Sequence, residues 1–342
     1  MSEISTTAII KQINVELIKT TLKFMKTATK TELAKATGLS VMTCGTILNE
    51  LLKTGEVIEL EIDPSSGGRP AIRYQYNADY AQVLCLYART EGNMSFFSYQ
   101  VCNLLGECLE EQIINSSDIT YETYETVIGE VLLCYPQIKV ISVGVQGVVN
   151  QGIIGECDIK ALEGIAIEAR LKEKYELDII AQNDMNLITY GYYQKQEYEH
   201  DKNIAYLYIP EDNYIGSGII VRGKVVKGET NFAGELSFLP LGISRSEQIE
   251  QFKQTKTMIS LAAKSMASMI TVINPALIVI AGLCVKEEDL SLIQQELEMM
   301  IPKEHLPIII YQSDIHEDYM GGLKALAFEK MSYELKLVKK KF

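Results

Sequence analysis

Hydrophobic residues recur along this chain at two spacings, and the spacing predicts where helices and strands lie. Residues 8–28 and 41–53 carry apolar side chains every three or four positions, which is typical of helices with one buried face. From residue 82 onward, runs rich in β-branched and aromatic residues alternate with segments of helical spacing. Strands followed by helices occur twice, so we expect two α/β lobes with a ligand-binding cleft between them.

A capped pair of helices precedes the lobes. Thr29 and Glu32 have the spacing of a capping box at the start of a short helix. Gly38 can end that helix in a left-handed turn, and Ser40 can cap the next helix, residues 41–53. The buried face of this second helix is formed by Cys44, Ile47, Leu48, Leu51 and Leu52. Two helices joined by a glycine-containing turn form the helix-turn-helix pattern, whose second helix enters the major groove of DNA.

A predicted hairpin follows the two helices and favours DNA binding over a helix pair that serves only for packing. Residues 57–62 are predicted as a strand, residues 63–68 as a turn, and residues 69–76 as a return strand with alternating apolar and polar side chains. Such a hairpin is the wing of a winged helix. Its tip places Arg69 where a phosphate or the minor groove of DNA would lie.

The predicted DNA-contacting residues lie on the exposed side of this module. No Lys or Arg occurs between Ser40 and Leu52, so base contacts would come from small polar side chains. At the start of the second helix and along its exposed face, we expect contacts from Ser40, Met42, Thr43, Thr46 and Asn49. The expected phosphate contacts come from the basic residues Lys30, Lys35, Arg69 and Arg73.

The chain is acidic overall, but its negative charge is unevenly distributed. The chain of 342 residues is 47% hydrophobic, enough for two or three packed domains, and carries a net charge of −13. Residues 1–75 hold nine basic and eight acidic residues, a net charge of +1, so the remainder carries −14. Because the acidic excess lies outside the predicted DNA-binding module, the charge does not exclude DNA. It predicts a strongly salt-dependent affinity that needs dimerisation.

The cysteine pattern and the distribution of apolar runs indicate where in the cell the protein is located. The seven cysteines lack the spacing of a metal site and fit a reducing environment. No apolar signal stretch and no apolar run of membrane-spanning length is found. We therefore expect a cytoplasmic protein without a membrane partner.

Several short motifs occur in an order that resembles one known family. They are the helix-turn-helix with Gly67-Gly68-Arg69-Pro70, residues 143–149 (Val-Gly-Val-Gln-Gly-Val-Val), residues 182–186 (Gln-Asn-Asp-Met-Asn), residues 215–218 (Ile-Gly-Ser-Gly), residues 228–235 and residues 273–282. Over nearly the whole chain they resemble the ROK family of repressors, open reading frames and sugar kinases, in its xylose- and N-acetylglucosamine-repressor branch.

The resemblance implies an α/β fold in which a winged helix-turn-helix precedes a two-lobed, actin-like and ribonuclease-H-like ATPase fold. The winged helix-turn-helix would be residues 1–76. The lobes would be residues 80–186 and 187–342, with the final helix packing back on the first lobe.

The resemblance also implies a sugar site. Phosphoryl transfer to a sugar hydroxyl needs a base, which the family places in an Asn-Asp pair matched here by Asn183 and Asp184. Spacing alone would make Asp184 a helix cap. In relatives the residue matching Glu235 contacts sugar hydroxyls, while Gly147 would form a backbone wall with Gln146 nearby. We therefore expect ligand contacts from Gly147, Asn183, Asp184 and Glu235.

The chain departs from the family's catalytic pattern where phosphate would bind. The first phosphate motif, Asp-x-Gly-Gly-Thr, is missing, and its strand carries Tyr87 and Arg89 where phosphate would approach the backbone. The usual proline of the Gly-Val-Pro-Gly motif is Gln146. The second phosphate loop survives in part as Gly216 and Gly218.

The zinc site of the family is missing as well. The histidine of its Glu-x-Gly-His motif is Phe238 here, and the loop after Gly242 contains no cysteine. The three histidines, His200, His305 and His316, fall outside the motif. We therefore expect no catalytic residue, no metal and no cofactor.

Three functions stay open. The first is a transcriptional regulator, and specifically a repressor, whose kinase-like domain senses a sugar or sugar derivative without phosphorylating it. The second is a regulator that has lost sugar binding and acts through oligomerisation or a protein partner, which Phe238 and the missing zinc loop favour. The third is an active sugar kinase, which the missing phosphate motif disfavours. As partners we expect a palindromic double-stranded DNA operator, a sugar effector, and further copies of the chain in a homodimer or tetramer.

Overall fold

The computed structural model describes residues 6–60, 71–91, 94–116, 118–196 and 202–331. The chain folds into two compact units. The first contains the residues up to 82 together with the turn 102–108, and the second contains residues 83–101 and 109–331.

The first unit packs three helices against a three-stranded antiparallel sheet. Its elements are α1 (Thr6–Met25), α2 (Lys30–Thr37), α3 (Val41–Thr54), β1 (Thr27–Thr29), β2 (Val57–Leu60) and β3 (Arg73–Tyr76). The strand order is β1-β3-β2. One core joins these elements and includes Ile18 and Leu22 of α1, Leu33 of α2, Leu48 of α3 and Tyr74 of β3. The leading helix predicted from the apolar spacing therefore packs on the helix-turn-helix.

The caps predicted from the sequence set the boundaries of α2 and α3. The Glu32 N–H donates to Thr29 Oγ1 at 3.2 Å, and the Thr29 N–H donates to Glu32 Oε2 at 2.8 Å, which completes the capping box. Gly38 ends α2 at a φ of +72°, which glycine adopts without strain. Ser40 Oγ accepts from the Thr43 N–H at 3.0 Å at the start of α3. Both helices and both caps are confirmed.

The hairpin of the first unit is described only in part. β2 and β3 pair in antiparallel register, with Val57 opposite Tyr76 and Leu60 opposite Arg73. Residues 61–70, which include the predicted turn and Arg69, lie outside the described residues. The sequence did not predict β1, because a strand of three residues is too short for a period-two pattern and depends on its pairing with β3.

The second unit consists of two lobes, and the first lobe is built around a five-stranded sheet. Its elements are β4 (Gln82–Glu91), β5 (Met94–Asn103), β6 (Cys108–Ser116), α4 (Tyr121–Cys134), β7 (Ile138–Val145), β8 (Gly147–Asn150), β9 (Ile153–Cys157), α5 (Ile167–Tyr175) and β10 (Asp178–Asn183). The sheet order is β10-β7-β4-β5-β6, with β10 parallel to β7, and β8 and β9 form a separate antiparallel pair. Tyr124 and Ile128 of α4 share one core with Leu171 of α5, Leu84 of β4 and Ile141 of β7.

The second lobe also surrounds a five-stranded sheet. Its elements are α6 (Asp184–Lys195), β11 (Ile204–Tyr208), β12 (Gly216–Val221), β13 (Lys224–Val225), α7 (Arg245–Phe252), α8 (Thr255–Ile273), β14 (Leu277–Ala281), α9 (Leu290–Met300), β15 (Ile308–Gln312) and α10 (His316–Met331). The sheet order is β13-β12-β11-β14-β15, and β14 is parallel to both of its neighbours. Every residue of β14 is buried, as its apolar run predicts.

Helices α6 and α10 cross at glycines. A Cβ on Gly191 would lie 1.8 Å from the Asp318 carbonyl oxygen, and a Cβ on Gly322 would lie 2.0 Å from the Leu187 carbonyl oxygen. Real Cβ atoms do not approach backbone so closely, so the crossing depends on glycine at both positions. The other side of α10 packs against β7 and β10 of the first lobe.

The structure changes the predicted elements around residues 138–177. The β-branched run over residues 138–149 predicts a single strand, and the structure divides it at Gln146 into β7 and β8. β9 and α5 were missed, because α5 has a highly polar sequence and β9 is short and contains Gly155.

The sequence predicts helices from Leu187 and from Gly321, and both helices begin earlier in the structure. α6 begins at Asp184 because Asn183 Oδ1 accepts from the Asn186 N–H at 3.0 Å. The predicted cap at Asp184 is thus wrong by one residue. α10 begins at His316, whose N–H donates to Asp314 Oδ1 at 2.9 Å, and not at the predicted Gly321.

Candidate functional site

A cleft of about 370 Å³ between the two lobes is lined by all four residues predicted to bind a ligand. Gly147 lies at the start of β8, Asn183 and Asp184 at the junction of β10 and α6, and Glu235 in the segment after β13. The other polar side chains in the lining are Thr90, Gln146, Glu156, Asp158, Lys160, Asp212, Asn213, Ser217 and Arg245. The strands and helices of both lobes therefore contribute to one polar cleft.

The Asn183 side chain is fully engaged within the protein. Its Nδ2 donates to the Gly147 carbonyl oxygen at 3.0 Å and to Asp184 Oδ1 at 3.0 Å, while its Oδ1 caps α6. An amide nitrogen has two hydrogens, and both are used here. Asn183 therefore orients Asp184 and leaves the direct contact with a ligand to the carboxylate.

Asp184 occupies the first position of α6 and faces other acidic groups. Burial raises the pKa of Asp184 to about 7 from 3.8, and the negative charge of Asp158 adds to the increase. The nearby charge of Arg89 acts in the opposite direction. A carboxyl group with this pKa is present in both forms at neutral pH, so it can accept or donate a hydrogen bond.

Gly147 permits a close approach between β8 and β9. A Cβ at this position would lie 2.4 Å from Cys157 Cβ and 2.5 Å from the Glu156 carbonyl oxygen. The residue forms a backbone wall of the cleft, and any side chain here would displace β9 and the adjacent Asp158.

Arg245 lies between aromatic rings on the opposite side of the cleft. Its guanidinium carbon lies 3.8 Å from the ring centroid of Phe238 and 4.0 Å from that of Tyr214. Its Nη1 lies 3.4 Å from Glu156 Oε1 of the first lobe. Burial raises the pKa of Glu235, and the positive charge of Arg245 partly opposes this increase. At the position of the family's histidine, Phe238 thus supports a cation in the cleft.

Side chains cover the backbone of β4, the strand that carries the first phosphate motif in relatives. The rings of Tyr87 and Tyr319 are stacked, with centroids 4.1 Å apart and planes inclined by 14°. The Tyr87 hydroxyl is hydrogen-bonded to His316 Nδ1 at 2.9 Å. Arg89 is buried, with its guanidinium carbon 4.6 Å from the ring centroid of Tyr208. These contacts join β4 to α10 and β11 where a phosphate would need free backbone.

The two glycines that match the second phosphate loop serve helix packing. A Cβ on Gly218 would lie 2.0 Å from Thr189 Oγ1, and a Cβ on Gly216 would lie 2.9 Å from Met185 Cγ. Both glycines therefore allow β12 to lie directly against α6. Their presence alone is no sign of a working phosphate loop.

The cleft residues that sequence analysis missed include Asp158, Phe232 and Arg245. Each lies in or beside a loop, after β9, after β13 or at the start of α7. Single charged or aromatic residues in loops are common, so no sequence signal separates these three from others.

The predicted DNA-contacting residues of α3 lie on one accessible face. Met42 is 83% exposed, Ser40, Thr46 and Asn49 are exposed, and Thr43 is half-buried. Thr43 Oγ1 is hydrogen-bonded to Ser40 Oγ at 2.9 Å, and Thr46 Oγ1 donates to the Met42 carbonyl oxygen at 3.1 Å. The threonine hydroxyls thus have local partners, whereas the Asn49 amide can offer both donor and acceptor to a base.

The basic residues predicted to contact phosphate differ in their surroundings. Lys35 is exposed and Lys30 is half-buried. Arg73 is exposed but lies 3.5 Å from Glu32 Oε1, which partly offsets its charge. Arg69 lies outside the described residues.

Two kinds of feature are missing from the described parts of the chain. Within them, no group of three His, Cys, Asp or Glu side chains is arranged to hold a metal ion. No helix there combines the length and the apolar character needed to cross a bilayer.

Comparison with known proteins identifies similar chains. The ROK family model matches residues 96–249. The xylose repressor of Caldicellulosiruptor bescii is 23% identical over 239 residues, which cover 67% of this chain and 58% of that repressor. The match thus spans about three fifths of the length of this curated relative.

Solved structures share the fold. A ROK family transcriptional regulator, homologous to the E. coli MLC protein, superposes with a TM-score of 0.65 at 18% identity, covering 94% of this chain and 99% of that one. The ROK hexokinase of Thermus thermophilus superposes with a TM-score of 0.58 at 15% identity, covering 73% of this chain and 99% of the hexokinase. At these identities the similarity shows the fold alone, the two-lobed actin-like ATPase fold that the motifs predict. The chain is thus similar to the ROK family over residues 96–249, and it shares its fold with ROK regulators and ROK sugar kinases.

Proposed function

We propose that this chain is a DNA-binding transcriptional repressor of carbohydrate genes whose two-lobed domain senses a sugar or sugar derivative without phosphorylating it. The observation that carries the proposal is the presence, in one chain, of a capped helix-turn-helix with an exposed α3 face and of a polar cleft lined by Asp184 and Glu235. Two similar proteins are named as a xylose repressor and a transcriptional regulator, which supports the same function. The repressor would act in the cytoplasm.

The DNA target would be a palindrome read by a homodimer or tetramer. α3 carries no Lys or Arg from its start to Leu52, so one copy makes few contacts with DNA. Two half-sites supply the missing affinity. Selection from a random DNA library with the full chain, followed by footprinting, tests this proposal. A symmetric protected site supports it, and no enrichment over unselected DNA would contradict it.

The roles in the cleft follow from the chemistry of its side chains. Asp184 and Glu235 would accept hydrogen bonds from ligand hydroxyls, Asn183 would hold Asp184 in place, and Gly147 would form the wall. A ligand that contacts both lobes stabilises their closed arrangement and can thereby change operator affinity. Operator affinity measured with and without a ligand from a sugar screen tests this coupling.

The proposal of a non-catalytic domain rests on the phosphate strand. Tyr87 is stacked on Tyr319, and Arg89 is buried against Tyr208, so the backbone of β4 is covered where a nucleotide phosphate would bind. An assay of ATP consumption with Mg²⁺ and common hexoses tests this point.

A regulator without a ligand is the second candidate, and Phe238 is the observation that favours it. Its ring stands at the position of a sugar-contacting histidine and removes a hydrogen-bond donor. A thermal-shift screen against sugars and sugar phosphates separates the two candidates, because a ligand that binds only the folded state raises the melting temperature. No shift across the panel would leave the ligand-free regulator.

A further inference from the structure

Two phenylalanine side chains line the cleft and are open to solvent. Phe232 is 46% exposed and Phe238 is 45% exposed, and their ring centroids are 4.9 Å apart, with the ring planes inclined by 59°. Single apolar side chains on a protein surface are common and need no explanation, whereas two adjacent rings in a binding cleft form an apolar patch. The patch therefore indicates a contact with an apolar part of the ligand.

The two rings are turned away from the core of the second lobe. Leu236, which lies between them in the sequence, is buried in that core, and Leu239 and Leu241 pack against it. In the described part of the chain, Phe232 and Phe238 belong to the cleft lining and not to this core. The same short segment thus directs its leucines inward and its phenylalanines into the cleft.

Contacts within the protein hold both rings in place. The Arg245 guanidinium carbon lies 3.8 Å from the ring centroid of Phe238, so this side chain supports the ring from one side. Beside Phe232, the Asn231 side chain donates to the Val149 carbonyl oxygen at 2.8 Å. The rings therefore form a preorganised wall, which reduces the entropy that a ligand must lose on binding against it.

The exposure of the rings does not result from an open arrangement of the lobes. Asn231 of the second lobe is hydrogen-bonded to Val149 of β8, and Arg245 Nη1 lies 3.4 Å from Glu156 Oε1 of β9. The two lobes are thus already connected on this side of the cleft. Because the rings remain exposed in spite of these contacts, a bound ligand is the group that can cover them.

The patch borders a side chain that suits sugar hydroxyls. Glu235 lies between the two rings in the sequence: its N–H donates to the Phe232 carbonyl oxygen at 3.4 Å, and its carbonyl oxygen accepts from the Phe238 N–H at 3.1 Å. Phenylalanine has no hydrogen-bonding group, so a sugar hydroxyl placed against either ring would lose water without gaining a partner. The surroundings of Glu235 therefore favour an apolar substituent next to the hydroxyl-binding carboxyl group.

We propose that the cleft binds a glycoside with an aromatic aglycone, in which Asp184 and Glu235 accept hydrogen bonds from the sugar hydroxyls and the aglycone packs against Phe232 and Phe238. This proposal rests on the sensing role proposed above and narrows its ligand. Aromatic rings attract one another in edge-to-face and offset-stacked arrangements with centroids about 4.5–7 Å apart. The two inclined rings leave room for a third ring in such a contact, whereas a free hexose would leave most of the patch uncovered.

The test is titration calorimetry with the full chain, comparing ligands that differ only in the aglycone. Phenyl glycosides of glucose, galactose, mannose, xylose and N-acetylglucosamine, in both anomers, are each compared with the methyl glycoside of the same sugar and anomer. We expect at least one phenyl glycoside to bind about tenfold or more tightly than its methyl counterpart, because its ring buries apolar surface against the patch. Its binding should also show the more negative heat-capacity change. Because neither ligand is charged, added salt should leave the preference unchanged.

Variants tie the preference to the two rings. Phe232→Ala should bring the ratio of the phenyl and methyl glycoside affinities to within about threefold of unity, since the aglycone loses its aromatic contact. Phe238→Leu, which keeps an apolar side chain but removes the ring, should lower the same ratio and serves if Phe232→Ala does not fold. The matched control is Phe24→Ala, which truncates a phenylalanine that is 89% exposed in the first unit and should leave the ratio unchanged.

The outcomes separate this inference from the sensing role. Methyl glycosides that bind as tightly as every phenyl glycoside would overturn the inference and leave a sugar sensor. Equal weakening of both ligands by Phe232→Ala would also overturn it, because the rings would then contact the sugar itself. Absence of binding by the whole panel would overturn both the inference and the sensing role. The operator selection is scored independently, so DNA binding stands or fails by itself.

Discussion

The Gln146 side chain is hydrogen-bonded to Thr90 at the end of β4 through both of its polar atoms. Its Oε1 accepts from the Thr90 N–H at 2.9 Å, and its Nε2 donates to the Thr90 carbonyl oxygen at 3.2 Å. The family resemblance assigns this end of β4 to the first phosphate motif and the position of Gln146 to a proline. Because the Thr90 N–H already donates to Gln146, this donor is not free for a nucleotide phosphate.

We predict that neither the wild-type chain nor Gln146→Pro phosphorylates a hexose. The proline would free the backbone of Thr90, but Tyr87 and Arg89 would still cover the preceding part of β4. A coupled assay of ADP release with Mg-ATP and a hexose panel measures this, with a ROK hexokinase as the positive control. Turnover by the wild-type chain clearly above the protein-free rate would contradict the prediction.

Asn49→Ala should change which bases are preferred at one position of each half-site. The Asn49 amide is exposed on α3, and losing a two-point contact to a base costs about 1–3 kcal/mol of discrimination. Operator selection repeated with the variant measures the preference. An unchanged preference at every position would show that this face of α3 does not read the bases.

Arg73→Ala should weaken binding to all DNA sequences by a similar factor, because a phosphate contact carries no sequence information. The slope of log affinity against log salt concentration should become shallower by about one, which is the contribution of one phosphate contact. Arg69→Ala is expected to act in the same way. The matched control is Lys264→Ala, which removes an exposed positive charge from the second unit. Equal effects of Arg73→Ala and the control would assign the loss to net charge alone.

Asp184→Asn should stabilise the second unit above neutral pH. Because burial raises the pKa of Asp184 to about 7, the folded chain holds this proton more tightly than the unfolded chain. The wild type therefore loses stability as the pH rises from about 4 to about 7, and above that the loss is complete. Asparagine does not titrate, and its side-chain oxygen can still accept from the Asn183 amide.

Scanning calorimetry at about pH 5 and about pH 8 measures this difference. The variant's advantage in free energy of unfolding should be larger at the higher pH, by on the order of 2 kcal/mol. An advantage of the same size at both pH values would mean that Asp184 does not titrate in this range.

Gly322→Ala should destabilise the second unit by about 3 kcal/mol or more, because the new methyl group would meet backbone and not a movable side chain. The added Cβ would lie 2.0 Å from the Leu187 carbonyl oxygen. Gly129→Ala in α4 is the matched control, since its nearest neighbour is the Tyr175 hydroxyl at 3.7 Å. The control should be neutral or stabilising by up to about 1 kcal/mol. Urea unfolding measures the free energy of unfolding of both variants. Equal values would contradict the described crossing of α6 and α10.

The helix-turn-helix and many strands could be predicted from the sequence because their signals are local. The capping pair Thr29 and Glu32 and the cap Ser40 act on backbone groups within three residues, so spacing alone identifies them. The apolar runs over residues 94–103 and 277–281 each predict a strand, and the structure has β5 and β14 at these positions. The order of the short motifs indicated the resemblance to the ROK family, whose model matches residues 96–249.

The tertiary structure alone decided which side chains line the cleft together and which parts of the backbone are covered by other side chains. Asp158 lines the same cleft as Asp184 because it follows a β8–β9 pair that no periodic pattern predicted, and Arg245 comes from the other lobe. Tyr319 covers Tyr87 because α10 returns to the first-lobe sheet, where a Cβ on Gly144 would lie 2.4 Å from the Tyr319 hydroxyl. Such contacts depend on how complete elements pack, and the surfaces that set this packing are distributed over both lobes.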